Sequence, residues 1–206
     1  MKRTYLFIIT ICAVLSVIAA GCGNKADYDY DLQPQQAFID FLNGGYLTGD
    51  EHDENFAHGF ETYKSDMEYL FLDLDGDHVD ELLLRANPGA GCWNFVFHYE
   101  NGDIKCWHED TMEETSVDYP LLNSAMVYEY NYADTLLSKV YRFLPDGNTE
   151  EIIRFYSCEN DYSTTDKKCP YYSINDIEVD KDKYDEEFKA YIEEQRIPDS
   201  MWTAVN

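Results

Sequence analysis

The chain has 206 residues and a formal net charge of −26, with 41 Asp and Glu against 15 Lys and Arg. Such a surface repels nucleic acid and anionic lipid, which excludes both as charge-recognised partners, and it attracts cations. The aromatic share of 16%, with 18 Tyr, excludes a disordered acidic tract and calls for a folded, sheet-rich body.

The opening residues read as a leader. Lys2 and Arg3 precede Tyr5 to Ala20, an almost wholly apolar run softened only by Thr10, Cys12 and Ser16. The run is shorter than the about 20 apolar residues of a bilayer-spanning helix. Its charged start and apolar middle are those of a secretory signal. It ends in Ile18-Ala19-Ala20-Gly21-Cys22, small residues before a Cys. This resembles the lipobox of bacterial lipoproteins, with Ala19 where Leu is commoner. The resemblance implies cleavage before Cys22, acylation of its thiol with palmitate-type chains, and a lipid-anchored protein on the extracytoplasmic face of the cell membrane. Acyl chains hold such a protein through about 0.8 kcal/mol per buried CH₂. Residues 1–21 are thus expected to be the signal peptide, 22–32 a small, polar, acidic tether, and 33–206 a single extracytoplasmic domain.

Pro34 suits the first turn of a helix, Ala37, Phe38, Phe41 and Leu42 make one apolar face, and Gly44-Gly45 ends it. Residues 46–66 are polar and expected to be irregular. Strands are expected from Tyr69 to Leu72 and Leu82 to Leu84, either side of an Asp-rich loop. Trp93 to Tyr99 and Ile104 to His108 flank Asn101-Gly102, a strong hairpin signal. Ala125 to Tyr132, Leu136 to Leu144 and Glu151 to Ser157 follow, the last two joined by a turn at Asp146-Gly147. Cys158 and Cys169 bracket a polar loop and are spaced to clip its base, since an exported chain permits disulfides. Tyr171 to Val179 reads as one more strand. Lys181 to Glu194 reads as a closing helix capped by Asp180, with Tyr184, Phe188, Tyr191 and Ile192 on its apolar face. The expected fold is α+β, a mostly antiparallel β-meander with an N-terminal and a C-terminal helix.

One segment carries chemistry. Asp73-Leu74-Asp75-Gly76-Asp77-His78-Val79-Asp80-Glu81-Leu82 places acids at loop positions one, three, five and nine. Calcium takes six to eight oxygens at ~2.3–2.6 Å, and alternating acids in a tight loop can aim several carboxylates inward. Asp73, Asp75 and Asp77 would be the inward acids, Val79 would lend its backbone carbonyl, and Glu81 would close the shell. Leu74 would point into the core and Gly76 would allow a tight bend. The segment resembles the D-x-D-x-D-G calcium loops of dockerins and FG-GAP repeats. The wider chain resembles uncharacterised bacterial lipoproteins in which D-x-D-G-D-G-x-x-E-L links two strands, with Phe41-Leu42-Asn43-Gly44 and Tyr184 to Glu194 at the accompanying helices. The resemblance implies a fold and a structural calcium ion, not an activity. At position six, normally Gly with φ > 0, this chain has His78, a residue that tolerates such backbone at some cost.

Other constellations are weaker. With the turn at Asn101-Gly102, His108 is expected opposite Phe95 and Cys106 opposite Phe97, with His98 on the other face, so these three do not converge on a zinc ion. No nucleophile elbow, H-E-x-x-H or phosphate-cradling Gly loop is present. Trp93, Trp107, Tyr128, Tyr130 and Tyr132 fall on expected strands, where aromatics fill cores more often than they form binding platforms. The expectation is a calcium-stabilised, non-enzymatic lipoprotein that binds a glycan, a wall polymer or another protein. The competing expectation is an extracellular hydrolase acting on a wall or glycan polymer, which requires a pocket where acids converge.

Overall fold

The computed structural model describes residues 32–44, 64–86, 93–111, 115–159 and 169–205. The expected signal peptide, Cys22, nearly all of the tether and most of the irregular segment lie outside the described residues, as does Cys92. Pro34–Asn206 form one compact unit.

Helix α1 spans Leu32–Leu42, and α2 spans Lys181–Tyr191. Between them and after them run β1 (Met67–Leu72), β2 (Glu81–Ala86), β3 (Trp93–Glu100), β4 (Asp103–Thr111), β5 (Ser116–Pro120), β6 (Met126–Tyr132), β7 (Thr135–Phe143), β8 (Thr149–Cys158), β9 (Tyr171–Ile174), β10 (Ile177–Glu178) and β11 (Thr203–Ala204). Every pairing is antiparallel. The fold is therefore mostly antiparallel sheet with an early and a late helix. The meander is not one sheet, however. It divides into a five-stranded sheet, β11-β1-β2-β3-β4, and a six-stranded sheet, β10-β9-β8-β7-β6-β5.

Alternation along the strands explains the layering. One face of the first sheet carries Met67, Leu82, Leu84, Phe95 and Phe97, which pack on Phe38, Phe41 and Leu42 of α1. Phe41 meets Phe97 edge-on at 5.0 Å. The opposite face carries Leu70, Leu83 and Val96, which meet Met126 and Phe143 of the second sheet. The second sheet's far face, with Val127, Val140, Ile153, Phe155 and Tyr172, is covered by Tyr184 and Phe188 of α2 and by Ile192. The order is helix, sheet, sheet, helix. Asp180 caps α2 by accepting a hydrogen bond from the Lys183 amide at 2.8 Å.

Several boundaries depart from expectation. Tyr171 to Val179 is not a single strand. Asn175 and Asp176 take positive φ of 50° and 63° and turn the chain back as the β9–β10 hairpin. Two strands were not foreseen, β5 and the two-residue β11. After α2 the chain forms a strap. Arg196 bridges to Leu121 beside the second sheet, a short 3-10 turn at Asp199–Met201 follows, and β11 pairs with β1 in the first. Cys158 at the end of β8 is disulfide-bonded to Cys169, which just precedes β9, closing the loop between them.

Candidate metal centre

The Asp loop follows β1 and leads into β2, so the hairpin between two paired strands sets its ends. Leu74 is buried in the cluster between the sheets. That anchor leaves the carboxylates on either side to fold back on the loop backbone. Asp73 accepts from Gly76 N at 2.7 Å and His78 N at 3.2 Å. Asp75 Oδ1 accepts from Asp77 N at 3.0 Å, and Asp77 Oδ1 from Val79 N at 2.7 Å. Successive Asx turns of this kind are what Asp does best in a loop. Two residues need left-handed backbone, Gly76 at φ 83° and His78 at φ 73°. Asp80, at the loop exit, accepts from Gln35 of α1 at 3.2 Å.

The loop's side chains converge. Ligand-type atoms of Asp73, Asp75 and Asp77 lie within 4.8 Å of one another, and so do those of Asp75, Glu81 and His98. Asp75 belongs to both groups. Its Oδ2 is buried and has no hydrogen-bond partner. A buried, unsatisfied carboxylate oxygen is costly in an ordinary turn, and a cation among these oxygens would satisfy it. Val79 enters the loop's network through its N–H.

Glu81, at 0% exposure, is the loop's innermost acid. Its Oε2 accepts from Leu74 N at 2.7 Å, and its Oε1 lies 2.9 Å from His98 Nδ1. Each carboxylate oxygen has a second lone pair, so these contacts leave coordination capacity. Burial, helped by the negative charges of Asp75, Asp77 and Asp73, pushes the Glu81 carboxyl up to about 8. Burial also raises Asp75, with the Asp77 and Asp73 charges adding to it.

His98 was not foreseen as part of this site. It is buried and stacks on Trp107 with ring centroids 3.9 Å apart and an interplanar angle of 10°. Leu82 pairs with Phe97, so the next position outward sets Glu81 beside His98. The expected hairpin register also fails at one point. Cys106 does oppose Phe97, but His108 opposes Val96 instead of Phe95, because Trp107 is an extra residue in β4. His108 therefore faces the second sheet, where its Nε2 lies 3.2 Å from Asp118 Oδ2. Cys106 is on the other side, exposed, its Sγ donating to the His108 carbonyl.

Trp107 is itself held from behind. It stacks on Phe143 at 5.6 Å, and a Cβ placed on Gly147 would come within 3.0 Å of its Nε1. The Asp146-Gly147 turn of the second sheet thus backs the ring on which His98 rests. Among the described residues no helix is long and apolar enough to cross a membrane. No family model, curated protein or solved structure matches the chain.

Proposed function

We propose that this protein is a lipid-anchored, extracytoplasmic, non-enzymatic binding module whose Asp loop holds a calcium ion. Asp73, Asp75 and Asp77 supply carboxylate oxygens, Val79 its carbonyl, and Glu81 closes the shell. His98 steadies Glu81 from behind, donating from Nδ1 in the tautomer that carries its proton there. The observation that carries the reading is the buried, partnerless Oδ2 of Asp75 among three further carboxylates. At an effective dielectric of about 20, two carboxylate charges about 5 Å apart repel by roughly 3 kcal/mol. A divalent ion turns that repulsion into attraction and ties β1 to β2. A crowded set of oxygen donors suits calcium, whose geometry is adaptable, better than magnesium, which demands near-ideal octahedral geometry. The lipid on Cys22 would hold the module at the membrane, leaving its acidic faces toward a glycan, a wall polymer or a protein.

A hydrolase would call on Glu81 as its proton donor. Glu81 is fully buried beneath the loop, at 0% exposure, so a polymer substrate does not reach it. The test is calorimetric titration of the chelator-stripped chain with CaCl₂. Saturable binding in the ~10⁻⁴–10⁻³ M range or tighter is expected, as for extracellular calcium modules, and its loss in Asp75→Asn. Heat no greater than buffer dilution in the wild type would refute the ion site.

A further inference from the structure

The C-terminal strap crosses from the second sheet to the first, and in crossing it walls a half-open cavity of about 320 Å³. Its lining includes Arg85 on β2, Tyr119 on β5, and Arg196, Ile197, Asp199 and Trp202 of the strap. The volume lies at the lower end of small-molecule pockets.

Charge sets this cavity apart. Acids outnumber bases 41 to 15 in the chain, yet two of its arginines line one small space. Both guanidinium groups are oriented by rings. Arg85 lies 4.2 Å from the Trp202 ring centroid, and Arg196 lies 4.6 Å from that of Tyr119. A stacked guanidinium directs its N–H fork sideways, in the plane a carboxylate needs.

The forks are only partly used. Arg85 donates from Nε and Nη2 to Glu68, at 2.9 and 2.7 Å, and from Nη2 to Asp199 at 2.9 Å. Arg196 donates from Nη2 to Tyr119 Oη at 3.0 Å and, at 3.5 Å, to Glu129. Among the described residues no acceptor meets Nη1 of Arg85, or Nε and Nη1 of Arg196. Asp199 is the one acid in the lining, and it is held loosely. Its side chain is 88% exposed and its ion pair runs to a single Arg85 nitrogen. Exposed pairs of this kind are weak and readily exchanged.

We propose that the cavity binds a carboxylate carried on a compact ring, such as a uronic acid, with Arg85 and Arg196 taking the carboxylate in the place of Asp199. The apolar part of the wall, Ile197 and Trp202, takes the ring. Asp199 acts as a built-in competitor that occupies Arg85 until a ligand displaces it. The site uses no residue of the Asp loop, so it stands or falls separately from the cation.

The experiment is titration of the full chain in detergent with D-glucuronate, with glucose and acetate in parallel. Glucuronate should bind, and both controls should bind roughly tenfold more weakly or worse, since each lacks one half of the recognition. Arg196→Ala, a half-exposed position, should weaken glucuronate by roughly fivefold or more, and Asp199→Asn should tighten it by roughly threefold, the reverse of a merely structural role. Glucose or acetate matching glucuronate would overturn the proposal. So would equal affinities for wild type and Arg196→Ala, or no binding by either wild type or Asp199→Asn.

Discussion

Glu81 and His78 carry opposite kinds of strain within one loop. Glu81 is a buried acid whose carboxyl stands at about 8, against 4.5 for an ordinary Glu. A carboxyl raised in the folded state binds a proton the unfolded chain releases. Without a cation, its contribution to stability is complete below pH 4.5 and is lost as pH rises through 8. A cation needs the ionised form, so its affinity should rise by up to about tenfold per pH unit towards pH 8 and level off above it. Calcium titrations at a series of pH values check this, and a flat profile across that range would contradict it. His78 holds φ 73° with its side chain largely exposed. Non-Gly residues pay about 1 kcal/mol for such backbone, so His78→Gly should stabilise the domain by roughly that amount, read by chemical denaturation.

At the scale of elements, the site is a hairpin braced by its neighbours. Gly147 sits at φ 78° with Trp107 where its Cβ would go. Gly147→Ala should therefore destabilise the domain by about 1–3 kcal/mol and also weaken cation binding, since Trp107 backs His98 and His98 backs Glu81. A drop in thermal stability with unchanged calcium affinity would break that chain of support. The disulfide joins the end of β8 to the residues before β9 across a sequence separation of 11. Reducing it should cost about 3 kcal/mol by freeing the unfolded loop, seen as a lower denaturant midpoint in reductant.

Local chemistry made many of these elements legible beforehand. Asn101 and Gly102 turn β3 into β4 with φ of 55° and 95°, as the dipeptide implied. Asp180 caps α2, and Leu74 points inward between acids. What escaped was non-local. β11 has two residues, too few for a period to register, and β5 is a five-residue strand ending at Pro120. The extra residue at Trp107 breaks the alternation on which the hairpin reading relied, and nothing in that hairpin alone marks it. His98 reaches Glu81 only through the register of β2 against β3, which the period of either strand alone does not encode.

At the scale of the whole molecule, two sheets with a helix on each outer face are joined, among the described residues, by few polar contacts. Asp118, buried at the edge of the second sheet, holds His108 of the first and Tyr141 of its own sheet at 3.2 and 3.1 Å, and its carbonyl accepts from Asn94 at 2.8 Å. An apolar cluster lies between the sheets, and Leu74 of the Asp loop is part of it. A cation at the loop would therefore act on more than one hairpin. By fixing Leu74 it would steady the contact between the sheets, so its effect should appear in global unfolding.

The most direct measurement is thermal unfolding of the chain in saturating calcium and again in chelator. With the ion at about 100 times its dissociation constant, binding stabilises by about 2.7 kcal/mol, and the midpoint should rise by roughly 5–10 °C. That rise should vanish in Asp75→Asn. Superimposable wild-type transitions in calcium and in chelator would contradict the account.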